Sequence, residues 1–214
     1  MAQIGALYEA VLNGDEKKAR AATAEALAAG IAPMELIQES MVPAMDEVGR
    51  LFEEEEYFVP ELLLAGRAMK GSMELLKPLL SAAGQRMSVR VVIGTVKGDL
   101  HDIGKNIVAS MLEGGGFEVI DLGTDVAPEK FLAAINERKP QVVCMSALLT
   151  VTMPAMKLTI DALVSAGVRT QVKVLVGGAP VTSQYAQEIG ADGYSENASG
   201  AVSLVKNLLA GEAA

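Results

Sequence analysis

The chain has no tryptophan, one histidine and one cysteine in 214 residues, and aromatic side chains make up only 4% of it. A lone cysteine cannot close an internal disulfide. Cys144 sits in the run QVVCMSAL, where a small buried hydrophobe is the reading its neighbours favour. Nothing here depends on an oxidising compartment, and the expected location is cytoplasmic. Positive charge is scarce too: 18 Lys and Arg face 27 Asp and Glu, a formal net charge of −9. Such a surface repels a phosphate backbone and no basic cluster offsets it, so no nucleic-acid binding is expected. Long apolar runs are missing as well. The longest, VVCMSALLTVTM at 142–153, is too short to cross a bilayer and carries hydroxyls, so no membrane association is expected. The amino terminus, MAQIGALYEAVLNGDEKK, lacks the basic start and apolar centre of a secretion signal. What the chain has in quantity is apolar side chains, 50% of it, enough for the core of one large or two modest domains.

The periodicity changes part-way along. Up to about residue 87 it is helical only. Ile4, Leu7, Tyr8, Val11 and Leu12 fall on one face. NGD at 13–15 breaks that helix and offers Asp15 as the N-cap of an Ala-rich second helix that ends at Gly30. Pro33 suits the first turn of a third helix containing Met34, Ile37, Met41 and Met45, and Pro60 suits the start of a fourth, PELLLAGRAMKGSMELLKPLL. Short connections between four helices imply a bundle. Its methionines read as adaptable core filler, and the acidic run Glu53 to Glu56 as a solvated face.

From Met87 onward, β-rich runs alternate with helical segments. SVRVVIGTV, FEVIDLG, QVVCMSAL and VKVLVGG are followed by helices over 104–113, 128–139, 153–166 and 182–189, and a short strand near DGYS leads into ASGAVSLVKNLLA. This alternation predicts a doubly wound parallel sheet, with SAAGQRMS at 81–88 as the linker. The expected domains are a helical cap over 1–87 and a Rossmann-like domain over 88–214. Ligands of such sheets bind beyond the carboxyl ends of the strands, and the unusual residues lie there: KGDLHDIG, GTDVAPE, SALLTVTMP and GGAPVTS.

The single histidine, His101, lies in the first of these loops, two residues after Asp99. Such a pair is commonly an ordinary surface hydrogen bond. At a binding edge it also suits a metal ligand whose ring a carboxylate orients. Gly98 and Gly104 would let a bulky group approach the backbone, and Asp102 suits a helix cap. Zinc is disfavoured, since its sites draw most of their ligands from protein side chains. Ser146 lacks the G-x-S-x-G setting of a hydrolase nucleophile, and the glycines of EGGGFE at 113–118 follow a helix rather than a strand, the wrong order for a dinucleotide loop. A phosphoacceptor receiver domain shares the fold class, but DGYSENAS supplies no lysine beyond the last strand.

Asp99-Leu100-His101-Asp102-Ile103-Gly104 resembles the D-x-H-x-x-G signature of cobalamin-binding domains. Ser146-Ala147-Leu148 and Gly177-Gly178 resemble that family's S-x-L and G-G motifs, in the same order. In the first half, MDEVGRLFEEEEYFVPELL is similar to the cap domain of methionine synthase and of corrinoid proteins of methyltransferase systems. The resemblance runs from about residue 3 to 210. It implies a four-helix cap before a flavodoxin-like, five-stranded parallel sheet, and a cobalamin or related corrinoid (methylcobalamin in its loaded form). His101 would ligate cobalt from below, with Asp99 on its other nitrogen and Thr152 ending the relay where methionine synthase has serine. Gly98, Leu100, Asp102, Gly104, Ser146, Leu148, Thr150, Gly177, Gly178 and Ala198 would meet the cofactor or its nucleotide tail. In the cap, Phe52 would cover the upper face, Val59 stands where the relative has leucine, and Gln38 where it has glutamate.

By the same resemblance the chain is a carrier subunit rather than a free-standing enzyme. It would take a methyl group from a substrate on one methyltransferase and pass it to a second that serves coenzyme M or tetrahydrofolate. Cobalt would cycle between oxidation states, with a reductive activase as a further partner. The donor is open among a methylamine, methanol, a betaine and a methoxyaromatic. A cobalamin sensor or storage module is the alternative, although light-responsive B12 repressors use an upper-face tryptophan that this chain does not have. A mutase small subunit shares the His101 loop but not a four-helix cap.

Overall fold

The structure, a computed structural model of the full chain, describes residues 2–83 and 89–210. Most of the expected linker, residues 84–88, lies outside the described residues, while Ser81 and Ala82 are still helical. The chain divides into two compact units, residues 1–88 with 110–117 and residues 89–109 with 118–214.

The first unit is helical. Helix α1 spans Ala2–Leu12 and α2 spans Glu16–Ala28, and Asp15 caps α2 by accepting from the Lys18 N–H at 3.0 Å. The third expected helix is interrupted: α3 (Pro33–Leu36) passes through a π-helical turn, Ile37–Met41, into α4 (Val42–Glu53). The Val42 N–H donates to the Ile37 carbonyl five residues back. Pro43 accounts for this: it has no N–H to give, and in a regular α-helix its ring would strike the carbonyl four residues earlier. Helix α5 runs Val59–Ala82. Leucine and methionine supply most of the large core side chains, with Leu7, Leu36, Met41, Met45, Leu62, Met69, Met73 and Leu76 almost wholly buried. Methionine, with its several torsions, suits helices meeting around an irregular turn.

The second unit is a parallel sheet of order β2-β1-β3-β4-β5, from β1 (Arg90–Thr95), β2 (Glu118–Asp121), β3 (Val142–Ser146), β4 (Lys173–Gly177) and β5 (Gly193–Tyr194). β1, β3 and β4 are apolar on both faces, as a sheet covered on both sides requires. The crossovers are α6 (Ile103–Gly114), α7 (Pro128–Arg138), α8 (Pro154–Ser165) and α9 (Ser183–Ile189), with α10 (Ala198–Ala210) closing the chain. Right-handed connections put α6, which leads away to β2, on one face and α7, α8 and α9 on the other. Residues of those three helices, Phe131, Ile135, Met156, Ile160, Leu163 and Ile189, duly share one core with Val92, Val143 and Val174. The strand order reverses between β1 and β3. The crevice beyond their carboxyl ends is where such folds take ligands, and it places the loops after Thr95 and Ser146 side by side.

Among the described residues no helix is long and apolar enough to cross a membrane.

Candidate functional site

The loop after β1 turns at Gly98, whose φ of 84° is open to glycine and strained for other residues. That turn drives Asp99 inward to full burial. A buried carboxylate must be paired or neutralised, and here its partners are complete. Oδ1 accepts from the His101 N–H at 3.0 Å and pairs with His101 Nδ1 at 2.8 Å. Oδ2 accepts from the Leu148 N–H at 2.8 Å and the Thr152 hydroxyl at 2.7 Å. The Thr152 oxygen also lies 2.8 Å from the Leu149 carbonyl. A hydroxyl has one proton to give, and the charged acceptor is the stronger claimant. Burial of Asp99 favours its neutral form, but the hydrogen bonds from Thr152, Leu148 and His101 outweigh it and hold the carboxyl well below the usual range.

One carboxylate therefore joins the β1–α6 and β3–α8 loops and orients the imidazole. With an ionised acceptor at Nδ1, the proton of a neutral ring resides on that nitrogen and Nε2 carries the lone pair. The His101 side chain is 50% exposed. Beside exposed Asp102 and Thr150, the same two loops show an unusual number of apolar side chains to solvent: Leu100 is 74% exposed, Ile103 72% and Val151 80%, with Leu148 and Leu149 less so. Exposed apolar side chains gathered about one oriented imidazole mark a surface made to be covered.

The remaining expected residues of the second unit fall on the same edge in varying ways. Ser146, half-buried, ends β3 opposite Gly177 in register, and Thr150 is exposed. Ala198 is buried at the start of α10. The carboxylate of exposed Asp102 takes the Asn106 amide at 3.2 Å and its carbonyl takes the Asn106 N–H at 2.7 Å, so it serves the first turn of α6. The glycines differ in what they meet. A Cβ at Gly104 would find nothing within 4 Å, whereas at Gly177 it would lie 3.1 Å from the Ser195 carbonyl. At Gly178 it would fall 1.9 Å from the Ala147 carbonyl, with φ at 125°. Gly178 is thus demanded by the protein itself, and Gly104 opens on space. In the first unit, Gln38 is exposed on the π turn, Phe52 is half-buried near the end of α4, and Val59 is 43% exposed where α5 begins.

Sequence reasoning passed over Thr95, whose buried hydroxyl donates to the His101 carbonyl at 2.8 Å. It also passed over Asp125, whose carboxylate accepts from the Gly98 N–H at 2.8 Å and pairs with Lys97. Asp125 holds φ at 53°, and its own N–H donates to the Asp99 carbonyl. An aspartate just past Gly123 in GTDVAPE was the available signal.

Comparison with known proteins bears on this edge directly. Two families, each described as a B12 binding domain, match the chain, one over residues 89–203 and the other over residues 3–77. A trimethylamine corrinoid protein of Methanosarcina acetivorans is 46% identical over 203 residues, 94% of each chain. The chain belongs to the B12-binding corrinoid proteins. A dimethylamine corrinoid protein from the same organism is 43% identical, covering 91% of this corrinoid protein and 92% of its relative. Among solved structures, one of the methanol:cobalamin methyltransferase complex MtaBC from Methanosarcina barkeri superposes with a TM-score of 0.88 at 33% identity, over 98% of this chain and 80% of that one.

The site fits the group that the family name implies. Among the described residues no three of His, Cys, Asp and Glu converge to hold a bare metal ion. A metal met by His101 alone must bring its other ligands with it, as the cobalt of a corrin ring does. The apolar surround suits a macrocycle and the open space at Gly104 suits a long appended tail.

Proposed function

We propose that this corrinoid protein carries methyl groups between methyltransferases, with His101 as the protein's ligand to cobalt. The observation that carries this reading is the His101 ring, fixed at Nδ1 by fully buried Asp99 in a side chain that is itself half exposed. When bound, the corrinoid supplies the cobalt that accepts and gives up the methyl group.

The chain's own residues do the rest. Asp99 keeps the proton on Nδ1 and so leaves Nε2 with its lone pair to offer a metal, and the hydrogen bond from Thr152 helps keep Asp99 ionised. Leu100, Ile103, Leu148, Leu149 and Val151 would exclude water from the bound group. Gly98, Asp102, Gly104, Ser146, Thr150, Gly177, Gly178 and Ala198 would meet the cofactor or its nucleotide tail, and Gln38, Phe52 and Val59 are the residues that the cap domain, residues 1–87, would contribute. The relatives named for trimethylamine and dimethylamine support a methylamine as the methyl source, delivered by a partner methyltransferase, and MtaBC is a solved complex of that general kind. A second methyltransferase serving coenzyme M or tetrahydrofolate and a reductive activase complete the cycle in the cytoplasm.

The test is to load the full chain with cobalamin, reduce it to the Co(II) form and record its electron paramagnetic resonance. Splitting by one imidazole nitrogen is expected, lost completely in His101→Ala. Persistence of the splitting in that variant, or benzimidazole coordination in the unaltered protein, sinks the reading. Methylation of the reduced protein by a methylamine-specific methyltransferase, and not by a methanol-specific one, then tests the donor.

A further inference from the structure

Asp99 and Thr152 hold the imidazole ring, but a ring is no better placed than the main chain that bears it. The His101 main chain is pinned on both sides. Its N–H reaches Asp99 at 3.0 Å, and its carbonyl receives the Thr95 hydroxyl at 2.8 Å. Thr95 is the last residue of β1, fully buried, and its own backbone is committed to the β2 side. Its N–H donates to the Gly123 carbonyl at 3.0 Å and its carbonyl accepts from the Val126 N–H at 2.9 Å. The hydroxyl is therefore delivered from a rigid strand end and not from a mobile loop.

Behind it lies a charge that the proposed chemistry does not use. Lys105, in the first turn of α6, has a side chain only 1% exposed. Its ammonium donates to Asp121 Oδ2 at 2.5 Å and to Asn106 Oδ1 at 2.6 Å. The other oxygen of Asp121 accepts from the Gly123 N–H at 2.8 Å, and Gly123 presents the carbonyl that takes the Thr95 N–H. The bonds close a circuit: Lys105 to Asp121, Asp121 to Gly123, Gly123 to Thr95, Thr95 to His101, and along the chain back to Lys105. Burying an ammonium is costly unless it is fully bonded, and this one is spent on clamping the two ends of the histidine loop to the end of β2.

We infer that Thr95 is a positioning residue for the cobalt ligand, holding the His101 main chain while Asp99 holds its ring, and that the Lys105–Asp121 pair backs this second brace. The inference rests on His101 being the ligand. A coordinate bond tolerates little displacement of its donor atom, so loosening the carbonyl should weaken ligation even with the Asp99 contact intact.

The experiment uses the full chain loaded with cyanocobalamin and titrated with cyanide, which takes the lower position from imidazole as the dicyano form appears. Thr95→Val keeps the branched shape and removes the hydroxyl. It should lower the cyanide midpoint about three- to tenfold, the range a single neutral hydrogen bond controls, while Thr95→Ser returns it to within about twofold. Asp121→Ala, at a side chain 41% exposed, should lower it by a smaller factor. A purely structural role would lower the melting temperature of the unloaded protein and leave the midpoint where it was. A Thr95→Val midpoint equal to that of the unaltered protein overturns the inference. Should Thr95→Val not fold, an unchanged midpoint in Asp121→Ala does so. Failure of the ligand assignment is visible separately and earlier, as an unaltered Co(II) protein without imidazole-nitrogen splitting.

Discussion

The two units hold their candidate functional residues by different means. In the sheet unit, Asp99 receives four hydrogen-bonding partners, the Gly98 turn is tied to Asp125 and the His101 carbonyl to Thr95. In the helical unit, Phe52 and Val59 sit on helices whose buried side chains are almost all apolar, and their own side chains have no group that could hydrogen-bond. Directional bonds fix a donor atom to a few tenths of an ångström, as metal ligation needs. Dispersion contacts among flexible side chains fix only a surface, which is enough to cover an apolar face.

Substitutions separate these two modes. The largest effect is expected at Gly178→Ala in the sheet unit, where a Cβ would collide with the Ala147 carbonyl at a left-handed φ. Stability to urea should fall by about 3 kcal/mol or more. Asp99→Ala comes next, at about 2–4 kcal/mol, because it takes the acceptor from the Leu148 and His101 N–H groups, whereas the Thr152 hydroxyl can still donate to the Leu149 carbonyl. The pH dependence carries the same signature. The Asp99 carboxyl is held below its ordinary value in the folded protein, so its contribution is complete above the unfolded value of about 3.9 and is lost as pH falls through the lower folded value. Asp99→Asn should therefore flatten the decline of stability in acid below about pH 4.

Gly104→Ala inverts the expectation for Gly178. With open space beyond the Cβ and a helical setting, the unloaded protein should change by no more than about 1 kcal/mol, in the stabilising direction. Cobalamin affinity, read by equilibrium dialysis, should fall on the order of tenfold. A tenfold loss without destabilisation would mark Gly104 as kept for the ligand, and an unchanged affinity would remove it from the tail path. The smallest effect is expected at Phe58→Ser in the helical unit, a side chain 62% exposed, within about 0.5 kcal/mol by thermal melting. A larger loss there would show that the helical unit also depends on individual contacts.

How far these features were legible in the sequence depends on their range. Strand and helix alternation was plain after residue 89, because parallel strands covered on both faces read as short apolar runs and each helix begins beside a proline or a polar cap. The Asp15 cap was local and therefore readable. The π turn was not. Pro43 looks like any proline near a helix start, and an expectation of unbroken periodicity through Met34, Ile37, Met41 and Met45 hid it. At the site, Asp99 and His101 stood out by type and spacing, and the Thr152 contact followed from the family resemblance. Thr95, Asp121 and Asp125 did not stand out, since a threonine ending a strand and aspartates in turns are ordinary until the fold brings them to the same loop. Gly178 was marked as a glycine that matters, but the reason is a neighbouring carbonyl that the sequence does not reveal.

The widened turn at Ile37–Met41 has a consequence for the residues after it. One extra residue in a helical turn rotates everything downstream by about 100° around the axis. The side of α4 on which Phe52 emerges is therefore set by a single surplus position ten or so residues earlier. Excising one amino acid from that turn would leave the composition of the helix almost untouched and swing the aromatic more than a quarter of the way round.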